Sequence, residues 1–287
     1  MPGLTTAVDA FRLMQRVAPP LAAEAAYSLW LSTGRRKRVH PLERAVIEQA
    51  TTSTIRAGRS RIAVYTWGTG PRPVLLAHGW QGRAAEFAEL VRELRAQDRT
   101  IIAFDAPGHG ASGGRRPDIR DFADVIAALG RRYGTFEAIV AHSFGTPAAA
   151  LAIRNGTRAH RLVTIGGVAE LDYLATSFGR ILDLSPRTIA GLKRRIEQRR
   201  FHTVPDVWTA LSATAAPLGM PMLVIHDRDD LMVHFAQAEA LVAAHPHSAT
   251  LFTSGLGHHR VLRDDEVLDA ISEFVSEPLS AAVLPAR

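Results

Sequence analysis

Ser143, His258 and three aspartates, Asp227, Asp229 and Asp230, are the side chains of this sequence whose types suit nucleophilic catalysis. A serine hydroxyl is a weak nucleophile at neutral pH. It needs a base in contact, a group that orients the base, and donors for the negative charge that develops on an attacked carbonyl. Ser143 lies in Ala141-His142-Ser143-Phe144-Gly145, between an apolar run from Phe136 to Val140 and a small-residue-rich, helix-compatible run from Thr146 to Arg154. Strand, sharp turn and helix with a serine at the apex is the context of a nucleophile elbow. The turn strains its central residue, so the positions two before and two after must be small. Gly145 meets that requirement fully, and Ala141 stands where a second glycine is usual. The bland alternative is a buried serine at a strand–helix junction.

The other requirements each have a candidate at the end of an expected strand. His78-Gly79-Trp80 follows the apolar run Val74 to Ala77. Glycine there permits a sharp turn, so the Trp80 amide is a candidate oxyanion donor. The Phe144 amide, directly after the serine and at a helix N-terminus, is the second. The candidate base is His258 in Gly255-Leu256-Gly257-His258, where the flanking glycines allow a loop to present an imidazole; His259 is its neighbour and competitor. The orienting acid lies in His226-Asp227-Arg228-Asp229-Asp230. Asp227 is nearest the strand and suited to bonding turn amides, Asp229 is expected at the surface, and Asp230 is far enough along the loop to fold towards the histidine. Asp230 is assigned, with Asp227 as the second choice.

The elements that must position these residues alternate in type. Thr52–Arg56 and Arg61–Trp67 read as a hairpin around Ala57-Gly58. Strands follow at 74–77, 100–104, 136–140, 162–165, 222–225 and 249–252, and helices at 83–96, 118–132, 146–154, 235–244 and 264–275. Strands that are apolar on both faces and alternate with helices imply a mostly parallel sheet covered on both sides. Two segments break the rhythm. Residues 1–50 read as an N-terminal helical extension broken at Pro19-Pro20 and near Gly34 and Pro41, and about 168–217 reads as a helical cap inserted between two strands, lining a substrate pocket. The basic residues Lys193-Arg194-Arg195 and Arg199-Arg200 suit either an anionic substrate or the wet face of a cap helix. Tyr27, Leu29, Trp30 and Leu31, followed by Arg35 to Arg38, suit a membrane interface. A helical extension packed on the main domain, with the basic run as its solvated end, is the simpler reading.

Bulk properties bound the function. The chain has 287 residues, 47% hydrophobic and 22% charged, and contains no cysteine, so thiolate catalysis and disulfides are excluded. Its net charge of +6 is spread along the chain rather than gathered in one tract, which argues against nucleic-acid binding. No secretory signal and no apolar run of about 18 residues is visible, so the default expectation is a cytoplasmic protein without an integral membrane segment.

Taken together, these residues resemble the α/β-hydrolase-fold serine hydrolases, over roughly residues 60 to 278 apart from the cap. Ser143, Asp230 and His258 occur in that family's nucleophile–acid–histidine order. Phe104-Asp105-Ala106-Pro107-Gly108-His109-Gly110-Ala111-Ser112 resembles the loop that follows the family's fourth strand, which makes His109 structural rather than catalytic. The family's acid motif, His-Gly-x-x-Asp-x-x-Val-Pro, aligns with His226 to His234 and places its acid at Asp230, with Asp227 replacing glycine and His234 replacing proline. The resemblance implies cleavage of a small-molecule carboxylic ester or thioester through an acyl-enzyme on Ser143, without metal or organic cofactor. Acyl transfer and carbon–carbon bond hydrolysis on the same residues, and non-catalytic ligand binding by the same fold, are the alternatives it leaves open. The acyl group and the oligomeric state are not written in the sequence.

Overall fold

In the computed structural model, which describes residues 2–95 and 97–278, eight strands form one sheet. They are β1 (Thr51–Ala57), β2 (Ser60–Trp67), β3 (Arg72–Ala77), β4 (Arg99–Phe104), β5 (Ala138–His142), β6 (Leu162–Ile165), β7 (Met222–Asp227) and β8 (Ala249–Thr253). Their order across the sheet is β1-β2-β4-β3-β5-β6-β7-β8. The β1–β2 and β2–β4 pairs are antiparallel, and every pairing from β4 through β8 is parallel.

Alternation along each strand explains the two covering layers. Val74 and Leu76 of β3 join Ala103, Val140, Val163 and Ile225 in a core that includes Phe87, Leu90, Val91, Ile271 and Phe274 from helices on that face. Leu75, on the opposite face, is equally inaccessible. Helices Ile119–Tyr133, Gly145–Arg154 and Ala236–Ala244 contact β1, β5 and β7 respectively. Strands β5, β6 and β7 are thus buried along their whole length and β3 and β4 over most of theirs, as their apolar sequences require. Strand β5 runs two residues beyond the expected Val140. Phe136 makes only an isolated bridge to Ala159, and regular pairing starts at Ala138 and continues to His142.

The parallel strands share one carboxyl edge, and their loops converge there. The residues that follow β3, β5, β6, β7 and β8 are His78-Gly79-Trp80, Ser143, Gly166, the Asp230 loop and the His258 loop. Ligand chemistry in open α/β sheets gathers at this edge.

Contacts divide the chain into two compact units: the chain up to Ser32 with Glu170–Ser212, and Thr33–Ala169 with the described residues from Ala213 onward. These bounds differ from residue 50 and from 168–217. Helix Pro41–Glu48 belongs to the sheet unit, where the Trp67 indole donates to the Val46 carbonyl at 2.8 Å. The helical unit joins two distant stretches of sequence. Helix Pro19–Trp30 lies so close to helix Pro186–Arg200 that a Cβ on Gly191 would stand 2.8 Å from that of Ala23. Glu24 pairs with Arg195 at 2.9 Å and with Arg199 at 2.6 Å, while Lys193 pairs with Asp172 and lies over the Trp208 ring. Lys193, Arg195 and Arg199 of that helix therefore answer acids of their own unit. Tyr27 and Leu31 are buried and Trp30 packs edge-on against Phe178, leaving Leu29 as the exposed member of that group. Among the described residues no helix is long and apolar enough to cross a membrane.

Gly191→Leu separates packing from propensity. Leucine is the better helix former, by somewhat less than the roughly 0.8–1 kcal/mol that separates alanine from glycine, but here it must push the two helices apart. The variant should expose residues 2–32 to proteolysis and lower the melting temperature followed by circular dichroism; an unchanged melt would show that the close approach contributes nothing.

Candidate active site

Ser143 has a left-handed backbone, with φ of 54°. A non-glycine residue holds that conformation only where its surroundings fix it. Here they do: the Ser143 amide donates to the Ile165 carbonyl at 3.0 Å, and the Ser143 carbonyl accepts from Thr146 at 3.0 Å and Val168 at 3.3 Å. Two glycines make room for the turn. A Cβ on Gly145 would collide with the Ala77 carbonyl, and one on Gly79 would meet the Ser143 Cβ at 2.7 Å and its Oγ at 3.2 Å. The turn after β3 is thus laid directly against the serine. Ser143 is half-buried, and among the described residues its hydroxyl makes no hydrogen bond, an arrangement common where reacting contacts tighten only on substrate binding.

The His258 ring sits above Gly166, the residue after the Ile165 carbonyl that holds the serine; a Cβ there would lie 3.1 Å from His258 Nδ1. His258 Nδ1 donates to Asp230 Oδ2 at 2.6 Å, and both side chains are buried. The other oxygen, Asp230 Oδ1, accepts from the amides of Met232 at 2.8 Å and Val233 at 2.9 Å. Burial works against the charge on Asp230. The hydrogen bond from His258 and its electrostatic attraction, with the two amides, outweigh it and hold the carboxyl below its ordinary range. With Nδ1–H given to Asp230, the neutral ring carries its lone pair on Nε2.

Asp227 takes a different place. Its Oδ1 accepts from the Asp229 amide at 3.0 Å, and its Oδ2 from the Thr253 hydroxyl at 2.8 Å and the Leu256 amide at 3.0 Å. It fastens the end of β7 to the loop that carries His258 and does not touch the ring. Burial opposes its charge too, but the Gly257, Leu256 and Asp229 amides and the Thr253 hydroxyl prevail, so its pKa is also lowered. Asp229 is exposed and accepts from the Gly255 amide at 2.8 Å. His259 is exposed, its ring 5.2 Å from that of His258.

The loop after β3 is braced by two neutral histidines. His78 Nε2 accepts from the Ala106 amide at 2.9 Å, so its Nδ1–H donates to the Gly79 carbonyl at 2.7 Å. His109 Nε2 accepts from the Gln81 amide at 3.0 Å, and its Nδ1–H donates to Pro107 at 2.9 Å. Burial lowers the pKa of both, that of His109 to about 4 with help from nearby His78. Behind the loop, Asp105 accepts from the amides of Ala84 at 2.9 Å and Ala111 at 2.7 Å and from the Tyr65 hydroxyl at 3.1 Å. The Trp80 and Phe144 rings meet edge-on at 5.4 Å, and the buried Phe122 ring contacts both. Among the described residues no group accepts from the Trp80 or Phe144 amide, and no cluster of three or more histidine or acidic side chains is arranged to hold a metal ion.

Sequence reasoning passed over His142 and His226. Each is buried beside the His258–Asp230 pair, and the signal for each was its place within one residue of a strand end.

This arrangement can be set beside known proteins. The model of the alpha/beta hydrolase family matches residues 74–270, well over half of the chain, and the protein belongs to that family. Over 64 residues it is 36% identical to a monoacylglycerol lipase of Mycolicibacterium smegmatis, a match covering 22% of this chain and 23% of that one. Over 114 residues it is 35% identical to a serine hydrolase-like protein of Danio rerio, covering 33% of each. The chain thus spans between about a quarter and a third of the length of these curated relatives. It superposes on the crystal structure of an esterase from Rhodococcus sp. ECU1013 with a TM-score of 0.59 at 18% identity, covering 81% of this chain and 100% of that one, a likeness of fold.

The Asp227 bonds give a prediction with a defined sign. A carboxyl whose folded pKa is depressed adds stability that is fully present above its unfolded value and is lost as pH falls through the folded one. Asp227→Asn turns an NH2 group towards donors, and should cost about 1–3 kcal/mol near neutral pH. That difference from wild type should shrink as pH falls below about 4. Urea midpoints from about pH 7 down to about pH 3 test this; a difference that persists undiminished in acid would assign it to packing instead of charge.

Proposed function

We propose that this protein is a serine hydrolase that cleaves a carboxylic ester or thioester by way of an acyl-enzyme on Ser143. The observation that carries this reading is the 2.6 Å bond from His258 to Asp230, together with a serine held in left-handed geometry at the end of β5, on the same carboxyl edge of the sheet. The lipase and esterase among the similar proteins support ester chemistry.

In the proposed mechanism His258 Nε2 removes the Ser143 proton as Oγ attacks the substrate carbonyl. Asp230 keeps the imidazole in the Nδ1–H tautomer and stabilises the imidazolium that forms. The Trp80 and Phe144 amides, which have no other acceptor among the described residues, hold the oxyanion; losing one such donor typically costs about a hundred- to a thousand-fold in rate. The tetrahedral intermediate collapses as His258 gives its proton to the departing alcohol or thiol. Water, deprotonated by the same nitrogen, then attacks the acyl-enzyme, the acid leaves, and Ser143 recovers its proton. In this account Asp227 fastens the His258 loop and takes no direct part, and the Gly79 and Gly145 contacts set the distance between the two donors.

Hydrolysis of p-nitrophenyl esters from acetate to long acyl chains is the direct test, with Ser143→Ala as control. Turnover should fall by at least about a thousand-fold in the variant while its circular dichroism stays that of wild type. A fluorophosphonate should label wild type once, at Ser143. Wild-type-like turnover by Ser143→Ala, or no labelling at high probe concentration, would defeat the reading.

A further inference from the structure

The His258–Asp230 pair is flanked by two histidines to which the mechanism above gives no part. His142 ends β5 and His226 is the penultimate residue of β7, and both are inaccessible to solvent. His142 Nε2–H donates to the backbone carbonyl of His258 at 3.0 Å, and the two rings lie 4.6 Å apart at an interplanar angle of 39°. His226 Nε2–H donates to the backbone carbonyl of Val233 at 2.8 Å, and the same nitrogen stands 3.7 Å from Asp230 Oδ2. In both rings Nδ1 has no hydrogen-bond partner among the described residues.

These contacts define the chemical state of each ring. A carbonyl only accepts, so Nε2 must carry the proton, and a buried Nδ1 without an acceptor must be bare. Both rings are therefore neutral single donors. Burial, and then the nearness of His258, push His142 well below the ordinary histidine range. Burial also lowers His226, against the opposing pull of the Val233 carbonyl and Asp230. A ring that stays neutral does not compete for the proton that His258 must carry.

The parallel between the two is geometric. His142 grips the carbonyl of the base itself. His226 grips the carbonyl of Val233, whose amide in turn donates to Asp230 Oδ1. We propose that His142 and His226 are positioning residues, each tying the loop that presents one member of the His258–Asp230 pair to the end of a central strand. The inference rests on the serine hydrolase reading for its effect on rate. Leucine at either position would fill much of the space and leave a buried carbonyl without its donor. Glutamine would return an amide N–H close to where Nε2–H stands.

The test compares His142→Leu with His142→Gln, and His226→Leu with His226→Gln, in the full chain. The leucine variants should lower kcat by about ten- to a hundred-fold with KM within about twofold, and should slow fluorophosphonate labelling in step. The glutamine variants should recover most of the rate. Crystal structures give a readout free of turnover: the Nδ1–Oδ2 contact of His258 with Asp230 should lengthen or split in the leucine variants and stay intact with glutamine. Should leucine prevent folding, asparagine, too short to reach the carbonyl, replaces it as the variant without the donor. Leucine or asparagine variants with wild-type kcat and an undisturbed contact would overturn the inference, as would equal losses with glutamine. Absence of Ser143-dependent turnover in wild type would instead count against the hydrolase reading, and the crystal geometry would still decide the positioning claim.

Discussion

The left-handed backbone of Ser143 is the constraint on which the rest of the arrangement depends. Such a conformation costs a non-glycine residue on the order of 1–3 kcal/mol and persists only when neighbouring structure over-determines it. The Ile165 carbonyl at the end of β6, the amides of Thr146 and Val168, and the two glycines against β3 supply that determination. Three adjacent parallel strands must therefore end at matched heights. The register pairs Ala77 with Ala141 and His142 with Ile165, which places the turn after β3 and the peptide after β6 on either side of the serine. Moving the register by one residue would turn every strand side chain to the other face and withdraw the Ile165 carbonyl.

Around that turn the protein solves one recurring problem: tight loops at the edge of a sheet leave backbone amides and carbonyls buried without partners. Carboxylates answer the amides. Asp105, Asp227 and Asp230 each accept from two or more donors, a use of several lone pairs that a neutral side chain matches poorly. Histidines answer the carbonyls. His78, His109, His142 and His226 are all buried, and each gives one N–H to a backbone oxygen. The division follows from chemistry, because an imidazole forced into the interior sheds its proton and becomes a flat, stiff, single donor.

The sheet and its helices were legible because the central strands are apolar on both faces and bounded by turn residues, signals that are local. The elbow, the His78-Gly79 turn and the two loops bearing Asp230 and His258 were legible for the same reason. Non-local relations were not. Asp227 reads in sequence as a competitor for His258, but its oxygens are spent on Thr253 and Leu256, residues of the next strand and its loop. His142 has no role assigned to it within its pentapeptide, and its significance lies in a carbonyl 116 residues further along. The union of helix Pro19–Trp30 with helix Pro186–Arg200 turns on a glycine facing an alanine, a contact between small residues that leaves no mark on hydrophobic periodicity.

That union has a consequence for the order of events during synthesis. Helices Pro2–Val17 and Pro19–Trp30 leave the ribosome well before Glu170–Ser212, the segment that completes their unit. Until then the small-residue face at Ala22, Ala23 and Ala26, dry in the finished protein, stands open to water and to other chains. Isolated helices of this length are marginal in water. The unit therefore closes only after most of the parallel sheet has been made, as a late step that waits on distant chain instead of a local hairpin that forms at once.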